Sequence, residues 1–406
     1  MYNTTNNPYS GIKEWKTKSV EATVVENSSS QVTWNAGWYV VTGEDVPLVQ
    51  GAVCNGDVHL ILADGAKLTV TGEEYKAGIQ VSGDGNSLTI YGQTNQSSQL
   101  IVTGGQYGAG IGGGGMSFDG TNITINGGIV TATGGRGGNA GIGGGMSGDG
   151  SNIIINGGVV TADGGDSGAG IGGGMSGRGT NITINGGTVT ANGGTYGAGI
   201  GGGKSFDGTN ITINGGTVTA TGGQTGGAGI GGGKNAAGSN IKVAAYLIVK
   251  AGGTENPTEE IATDRTDDTD IASSLAGKQY ATTEFNFSKY KTFVIAAVNA
   301  KIAESDNDNV KAIATNAATA INAATTVAEV NTLKDLAIAN ITSAKAAYSD
   351  GKEAGKAEGI EEGKAEAKSA LPTDPEGTAG HTVTITKGDK TLILVNPDKV
   401  TYGKQE

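Results

Sequence analysis

The stretch GAGIGGGKSFDGTNITINGGTVTATGG, from Gly197 to Gly223, decides the fold, because the chain repeats it with few changes about every thirty residues. The isoleucine of its AGIGG segment and the asparagine that closes TNITIN both recur at this period. The isoleucines are Ile111, Ile142, Ile171, Ile200 and Ile230, and the asparagines are Asn126, Asn156, Asn185 and Asn214. A fixed period of this length is typical of solenoids, in which one repeat cannot bury its apolar face alone.

Each repeat predicts three short sides. In TNITIN, Ile211 and Ile213 share one face, and in TVTAT, Val218 and Ala220 do the same. This period-two alternation of β-branched residues indicates strands. The glycine-rich AGIGGG segment predicts a narrow third side, and the connections are too short for a crossover helix. We therefore predict a right-handed parallel β-helix. Stacked coils also favour side-chain amide ladders, here formed by Asn122, Asn152, Asn181, Asn210 and Asn240.

The strand pattern extends on both sides of the clean repeats and gives about seven coils of ~30 residues. The predicted parts are an N-terminal arm and cap (1–45), a glycine-rich parallel β-helix (46–253), an acidic linker (254–287), a helical bundle (288–371) and a small C-terminal β module (372–406). In the first part, a predicted strand pair with Trp34, Trp38 and Tyr39 covers the open end of the core.

The alanine-rich region after the linker contains three helical patterns, spanning 290–304, 310–324 and 327–348, and the last is predicted to continue to Leu371. Four glycines fall on one stripe of this last helix. They are Gly351, Gly355, Gly359 and Gly363. An interior glycine costs about 1 kcal/mol relative to alanine, so we expect a compensating close approach between helices of different copies, with a trimer as the expected assembly. The alternative is a flexible, highly charged helical spacer.

Composition excludes several classes of function. A net charge of −12 argues against binding to nucleic acid or to an anionic membrane surface, because both require clusters of Lys and Arg. No segment approaches the ~18 apolar residues of a membrane span, so no membrane insertion is expected. The start of the chain lacks the apolar core of a secretory signal, which favours a virion component. Cys54 is the single cysteine and is expected to be a small buried residue.

Parallel β-helices often host polysaccharide lyases and hydrolases, whose sites need clustered carboxylates with a basic partner. Here the only histidines, His59 and His381, belong to different regions. Several aspartates recur at one turn position, which indicates turn chemistry. We therefore predict no catalytic residues, no enzyme activity, no cofactor and no metal.

The sequence also disfavours three other types of binding site that the repeat resembles. A calcium-binding β-roll needs a nine-residue period and an aspartate where Arg178 and Ala237 stand. An ice-binding threonine array is interrupted by Ile154. The GxGxxG spacing of GAGIGGG recurs in four coils without opening a helix, so it does not indicate a dinucleotide site.

The residues that vary between coils lie just before and just after GAGIGGG. A constant scaffold with variable loops is how repeat proteins build binding surfaces. The candidate ligand contacts, in which aromatic rings stack on sugars, are Tyr107, Phe118, Arg136, Asn139, Tyr196 and Phe206. The alternative is that the aromatic side chains only cover the rod.

Three motifs carry a resemblance to a known group of proteins. LILADGAKLTVTG (60–72), NSLTIYGQ (86–93) and the AGIGGG segments are similar to the glycine-rich repeats of large surface proteins from gut-dwelling bacteria and their phages. The layout of glycine segments and variable loops also resembles that of phage tail-tip adhesins. The resemblance covers about residues 30 to 253 and implies a β-helical, adhesive role that faces carbohydrate.

From this resemblance we expect a non-enzymatic phage tail or head fibre, located in the virion, that binds a host surface polysaccharide or protein. It would attach to other virion proteins through its N- or C-terminal segment. The alternatives are a purely structural spacer or connector of the virion, and a bacterial cell-surface adhesin.

Overall fold

The computed structural model describes residues 20–357 with the exception of 94, 96, 116, 117, 267, 268, 304, 305 and 307, together with residues 381–387 and 390–396. The chain divides into two compact units, residues 1–286 and residues 287–406. The first unit is a parallel β-solenoid and the second is mainly helical, so each is described by itself.

The solenoid begins with two layers in which two of its sides share one long strand. The strands of these layers are β1 (Thr23–Val24), β2 (Val32–Val41), β3 (Val46–Leu48), β4 (Ala52–Leu62) and β5 (Lys67–Thr71). The first residues of β4 pair with the glycine-rich side of the next layer and its last six residues pair with the TNITIN side. The segment interpreted as a strand pair is one strand, β2, which pairs in parallel with β4 across a register shift between Asn35 and Gly37.

Six turns with three strands each follow. Their strands are β6 (Ile79–Gln80), β7 (Ser87–Gly92), β8 (Gln99–Thr103), β9 (Ile111–Gly112), β10 (Gly120–Ile125), β11 (Ile129–Thr133), β12 (Ile142–Gly143), β13 (Gly150–Ile155), β14 (Val159–Asp163), β15 (Ile171–Gly172), β16 (Gly179–Ile184), β17 (Thr188–Asn192), β18 (Ile200–Gly201), β19 (Gly208–Ile213), β20 (Thr217–Thr221), β21 (Ile230–Gly231), β22 (Gly238–Val243) and β23 (Leu247–Gly252). The predicted parallel β-helix is confirmed, with six three-stranded turns; the remaining one of the seven predicted coils is the two-stranded layer β4–β5.

The core consists of columns of identical or similar side chains in register. Ile153 pairs with Ile123 below and Ile182 above, and Ile155 lies in a second column of the same kind. All of these side chains are fully buried. The inward and outward faces predicted from the alternation are therefore confirmed.

The glycine-rich side is narrow, as predicted. Gly172 has a φ of +133°, and a Cβ atom built on it would lie 2.0 Å from the carbonyl oxygen of Gly201 in the next coil. Only glycine allows this backbone conformation together with this close approach.

Asparagine ladders run along the stack. In the first, the side-chain amide of Asn152 donates to Oδ1 of Asn122 at 3.2 Å, and Asn181 donates to Asn152 at 3.3 Å. Each asparagine of this ladder is in the left-handed region, with Asn181 at a φ of 53°. Apart from glycine, asparagine and aspartate are the residues that adopt this conformation most readily. The predicted ladder is confirmed, and a second ladder joins Asn126, Asn156, Asn185 and Asn214.

The C-terminal end of the solenoid is closed by the chain that follows it. Strand β24 (Tyr280–Phe285) lies antiparallel between β20 and β23 and pairs with both, so β23 does not stack on β20. Asp270 covers the last TNITIN-type strand, because its carboxylate accepts the N–H groups of Asn240, Ile241 and Ala272, each at 2.9 Å. Helix α1 (Ala272–Leu275) follows. Much of the segment assigned to an acidic linker thus packs on the solenoid.

The second unit contains three helices that pack against one another, α2 (Phe287–Asn299), α3 (Asp308–Ala323) and α4 (Val327–Ala357). Their buried side chains are mainly Val, Ile and Ala, together with Tyr290 and Leu333. Lys345 forms an ion pair of 2.6 Å with Asp306, whose carboxylate also accepts the N–H of Ala303.

Helix α4 contains Gly351 and Gly355, whereas Gly359 and Gly363 lie outside the described residues, so the close helix approach and the trimer stay predictions. Within the predicted C-terminal β module, β25 (His381–Lys387) and β26 (Lys390–Asn396) form an antiparallel pair. The other residues of this module lie outside the described residues. Among the helices that the structure describes, none has the length and apolar character needed to cross a bilayer.

Candidate ligand-binding edge

The two variable loops of each coil lie side by side. The loop after GIGGG in one coil hydrogen bonds to the loop before AGI in the preceding coil: the Lys204 N–H donates to Ser167 O at 3.0 Å, and the Lys234 N–H donates to Tyr196 O at 2.8 Å. The same bond joins Met175 to Gly138 at 2.6 Å. Both loop sets therefore share one edge of the solenoid.

We name this surface the loop edge. It comprises residues 73–76, 105–108, 135–139, 165–168, 194–197 and 223–227 of the loops before AGI, and residues 115, 118–119, 145–149, 174–178, 203–207 and 233–237 of the loops after GIGGG.

One end of the loop edge is aromatic. The rings of Tyr75 and Tyr107 are stacked, with centroids 5.0 Å apart and planes at 22°. Phe118 is 55% exposed, and a Cβ atom built on Gly115 would lie 3.3 Å from its ring and 3.5 Å from the Tyr75 carbonyl oxygen. The structure therefore brings the predicted residues Tyr107 and Phe118 together with Tyr75, which had not been predicted. We call these three side chains the aromatic end.

Three coils further along, the loop edge is basic. Nζ of Lys204 lies 4.6 Å from the centroid of the Tyr196 ring, and Nζ of Lys234 lies 5.2 Å from it. Tyr196 had been predicted as a ligand contact and the two lysines had not. Phe206 is half-buried in the same loop as Lys204. We call Tyr196, Lys204 and Lys234 the basic end.

The other two predicted contacts behave differently. Arg136 is exposed on the loop edge, between its two ends. Asn139 is fully buried, and its amide donates to the carbonyl oxygens of Gln106 and Gly135, each at 2.9 Å. Asn139 therefore holds two neighbouring loops together, which removes it from the candidate ligand contacts.

The repeated aspartates of the turns bond to the backbone. Asp119 accepts the N–H of Asp149 at 2.8 Å, Asp149 accepts that of Arg178 at 2.6 Å, and Asp207 accepts that of Ala237 at 2.9 Å. These carboxylates connect successive coils, which agrees with their interpretation as turn residues.

A polar chain that the sequence analysis missed lies on the outer face of the first layers. His59 contacts the Asp57 carboxylate at 3.2 Å and the Tyr91 hydroxyl at 3.2 Å, and Ser87 donates to Asp57. The Trp38 ring stacks on His59 with centroids 4.2 Å apart. The repeat period could have predicted the contact between Ser87 and Asp57, because Ser87 follows Asp57 by one coil. The repeat period does not predict the bulge in β2 that brings Trp38 opposite His59.

The part of the chain that the structure describes contains neither a metal site nor a reactive thiol. Among the residues that the structure describes, no three His, Cys, Asp or Glu side chains are grouped to hold a metal ion. Cys54 is 1% exposed and pairs with Trp34 across β2 and β4. Burial raises the pKa of its thiol to about 12. The thiolate is the reactive form of cysteine, so Cys54 is a packing residue, as predicted.

Comparison with known proteins agrees with this architecture. The Beta helix repeat family model matches four successive stretches, residues 123–146, 153–175, 182–204 and 211–234. Searches of curated proteins and of solved structures give no significant match. The fold and the repeat together define a parallel β-helix repeat protein. Such a fold fits a structural or adhesive role.

Proposed function

We propose that this protein is a non-enzymatic adhesin that binds a surface saccharide along its loop edge. The observation that carries the proposal is the convergence of both variable loop sets on one edge, where backbone hydrogen bonds join them at three successive coil junctions and Tyr75, Tyr107 and Phe118 are clustered. Elsewhere in the clean repeats the sequence hardly varies from coil to coil, so the loop edge is where binding specificity can differ.

The physical basis is a rigid platform for weak contacts. Tyrosine combines a large apolar face with a polar hydroxyl, and it has few rotatable bonds. The Tyr75–Tyr107 stack fixes both rings before a ligand arrives, which reduces the ordering cost of binding. Amide side chains nearby supply hydrogen bonds; Gln106, for instance, donates to the Tyr107 hydroxyl at 3.1 Å.

One observation supports a binding role over a catalytic one. The loop-edge carboxylates of Asp119, Asp149 and Asp207 accept backbone N–H groups of the next coil. A general acid or base must instead reach its substrate within hydrogen-bond distance. No cofactor is invoked.

We further propose that the adhesin is displayed on a phage particle as a tail or head fibre. It would be held through one of its terminal segments by other virion proteins and assembled from several copies, with a trimer as the expected state. The bacterial cell surface is the alternative location. Mass spectrometry of purified virions and of proteins shaved from intact bacterial cells tests this directly: detection only in the cell-surface fraction contradicts the virion assignment.

A glycan array probed with the full chain tests the saccharide-binding function. We expect the wild type to bind a defined set of glycans and the Tyr75→Ala/Tyr107→Ala variant to lose them. Tyr348→Ala is the control, because Tyr348 is 49% exposed on α4 and does not belong to the loop-edge segments. Absence of glycan binding by the wild type, or equal binding by the aromatic variant, contradicts the proposal and favours a purely structural spacer.

A further inference from the structure

We infer that the saccharide bound along the loop edge is acidic and that its anionic group is held at the basic end, between Lys204 and Lys234. This inference rests on the proposed function and names the class of its ligand.

At the basic end, the ammonium groups of Lys204 and Lys234 are already held in position before a ligand binds. Lys204 belongs to the same coil as Tyr196 and Lys234 to the next, and both ammonium groups lie within cation–π distance of the one ring, at 4.6 and 5.2 Å from its centroid. The backbone bond from Lys234 to Tyr196 anchors this arrangement. An anion that binds there immobilises little additional side chain, which favours affinity.

The charges of these lysines are not balanced by acids. Among the described residues, neither ammonium group has a carboxylate oxygen within the 4.0 Å of an ion pair, although the chain carries a net charge of −12. Two like charges that share one ring repel each other, and a bound anion relieves that repulsion.

The turn itself does not require lysine. The corresponding positions of the two preceding coils hold Met146 and Met175, and the coil scaffold is the same there. The lysines are therefore a local feature of this end of the loop edge and not part of the repeat chemistry.

The rest of the edge identifies the ligand as a saccharide. The aromatic end begins three coils away, about 14 Å at ~4.8 Å per strand layer. A polymer spanning both ends must offer apolar ring faces at one place and an anionic group at another. An acidic polysaccharide has both features, whereas the dense charge of nucleic acid is disfavoured by the negative chain.

The experiment uses two matched pairs of probes with the full chain: polygalacturonate with its methyl ester, and dextran sulfate with dextran. Wild type, Lys204→Gln/Lys234→Gln and the control Lys301→Gln/Lys311→Gln are compared by calorimetry. The control removes the same charge from exposed positions of the helical unit.

We expect the wild type and the control to bind the acidic member of at least one pair about tenfold more tightly than its neutral partner, as two new ion pairs imply. The Lys204→Gln/Lys234→Gln variant should lose this preference. A preference for polygalacturonate identifies a carboxylate as the bound group, and one for dextran sulfate identifies a sulfate.

The inference is overturned if the lysine variant keeps the wild-type preference, or if the wild type binds acidic and neutral polymers equally. Either result leaves the adhesin function standing as long as the Tyr75→Ala/Tyr107→Ala variant loses glycans on the array. Failure of the wild type to bind any glycan overturns the proposed function itself.

Discussion

The strand columns and the loop edge belong to the same coils but obey different constraints. Along the columns, Ile153, Ile182 and Ile211 stand in register and are fully buried, so each must match its neighbours. Along the loop edge, aligned positions change from tyrosine to glycine or serine, and from methionine to lysine. A backbone stacked coil on coil fixes the position of the loops without fixing their side chains. The fold thereby separates the residues that determine stability from those that are free to vary.

The largest expected effect comes from a charge in a column. Ile184→Asp places a carboxylate where the side chain is 0% exposed, whereas the neighbouring Thr183 faces outward. An unpaired buried charge costs several kcal/mol, so Ile184→Asp should lower the melting temperature far more than Thr183→Asp. Calorimetry of both variants measures this. Equal decreases in melting temperature would mean that the columns tolerate a charge as well as the outer face does.

The next effect tests the narrow glycine side. Gly172→Ala adds a methyl group 2.0 Å from the Gly201 carbonyl oxygen and forces alanine to a positive φ. Overpacking together with this backbone strain should cost about 3 kcal/mol. Gly253→Ala is the control, because nothing lies within 4 Å of its added Cβ. Urea denaturation of the two variants should separate them clearly; similar midpoints would show that the glycine side can widen.

A smaller loss is expected in the asparagine ladder. Asn181→Ala removes one hydrogen bond to Asn152 and one from Asn210, and it places alanine, which disfavours the left-handed conformation, at this position. We expect it to lower the free energy of unfolding by about 2 kcal/mol. Asn181→Gly removes the same bonds but tolerates the backbone, so it should lose about 1 kcal/mol less. Equal losses would assign the whole effect to the side-chain amide.

The cap at Asp270 should show a pH-dependent effect. Burial alone would raise the pKa of Asp270, but the N–H groups of Ala272, Ile241 and Asn240, with the charge of Lys242, hold it below its ordinary value. The ionised carboxylate therefore stabilises the folded state above pH ~4, the ordinary aspartate value. This contribution disappears as the pH falls through the lower folded-state pKa.

Asp270→Ala should thus cost about 1 kcal/mol at neutral pH, as for loss of a helix N-cap, and the difference from wild type should shrink in acid. Asp264→Ala, at an exposed position of the same segment, is the control. Thermal melts at several pH values measure both. If the stability difference between Asp270→Ala and wild type did not change with pH, the charge of the Asp270 carboxylate would not be what stabilises this end of the solenoid.

The smallest effect is expected on the loop edge. Tyr75→Ala/Tyr107→Ala and Lys204→Gln/Lys234→Gln should change the unfolding free energy by no more than about 0.5 kcal/mol per substitution, as is usual for surface side chains. Denaturation curves recorded beside the binding assays check this. A large loss of stability would mean that the loop edge supports the fold and that the comparison with the columns fails.

Several features followed from residue patterns because stacking converts sequence period into spatial contact. A residue and its equivalent thirty positions later become neighbours, so the Ile columns and the Asn122–Asn152–Asn181 ladder were predictable. The same reasoning placed Tyr107 and Phe118 in loops but did not show that the two loop sets share an edge. That depends on how each loop folds back onto the preceding coil.

The sequence by itself determined the solenoid, its inward-facing residues and the positions free to vary, because these depend only on local alternation and on the period. The tertiary structure alone decided the antiparallel insertion of β24 between β20 and β23, the burial of Asn139 and the meeting of Tyr196 with Lys204 and Lys234. The physical reason is that these contacts join segments outside the period or depend on loop conformation. Their partners are selected by which backbone edge or side-chain space is left open once the coils have stacked.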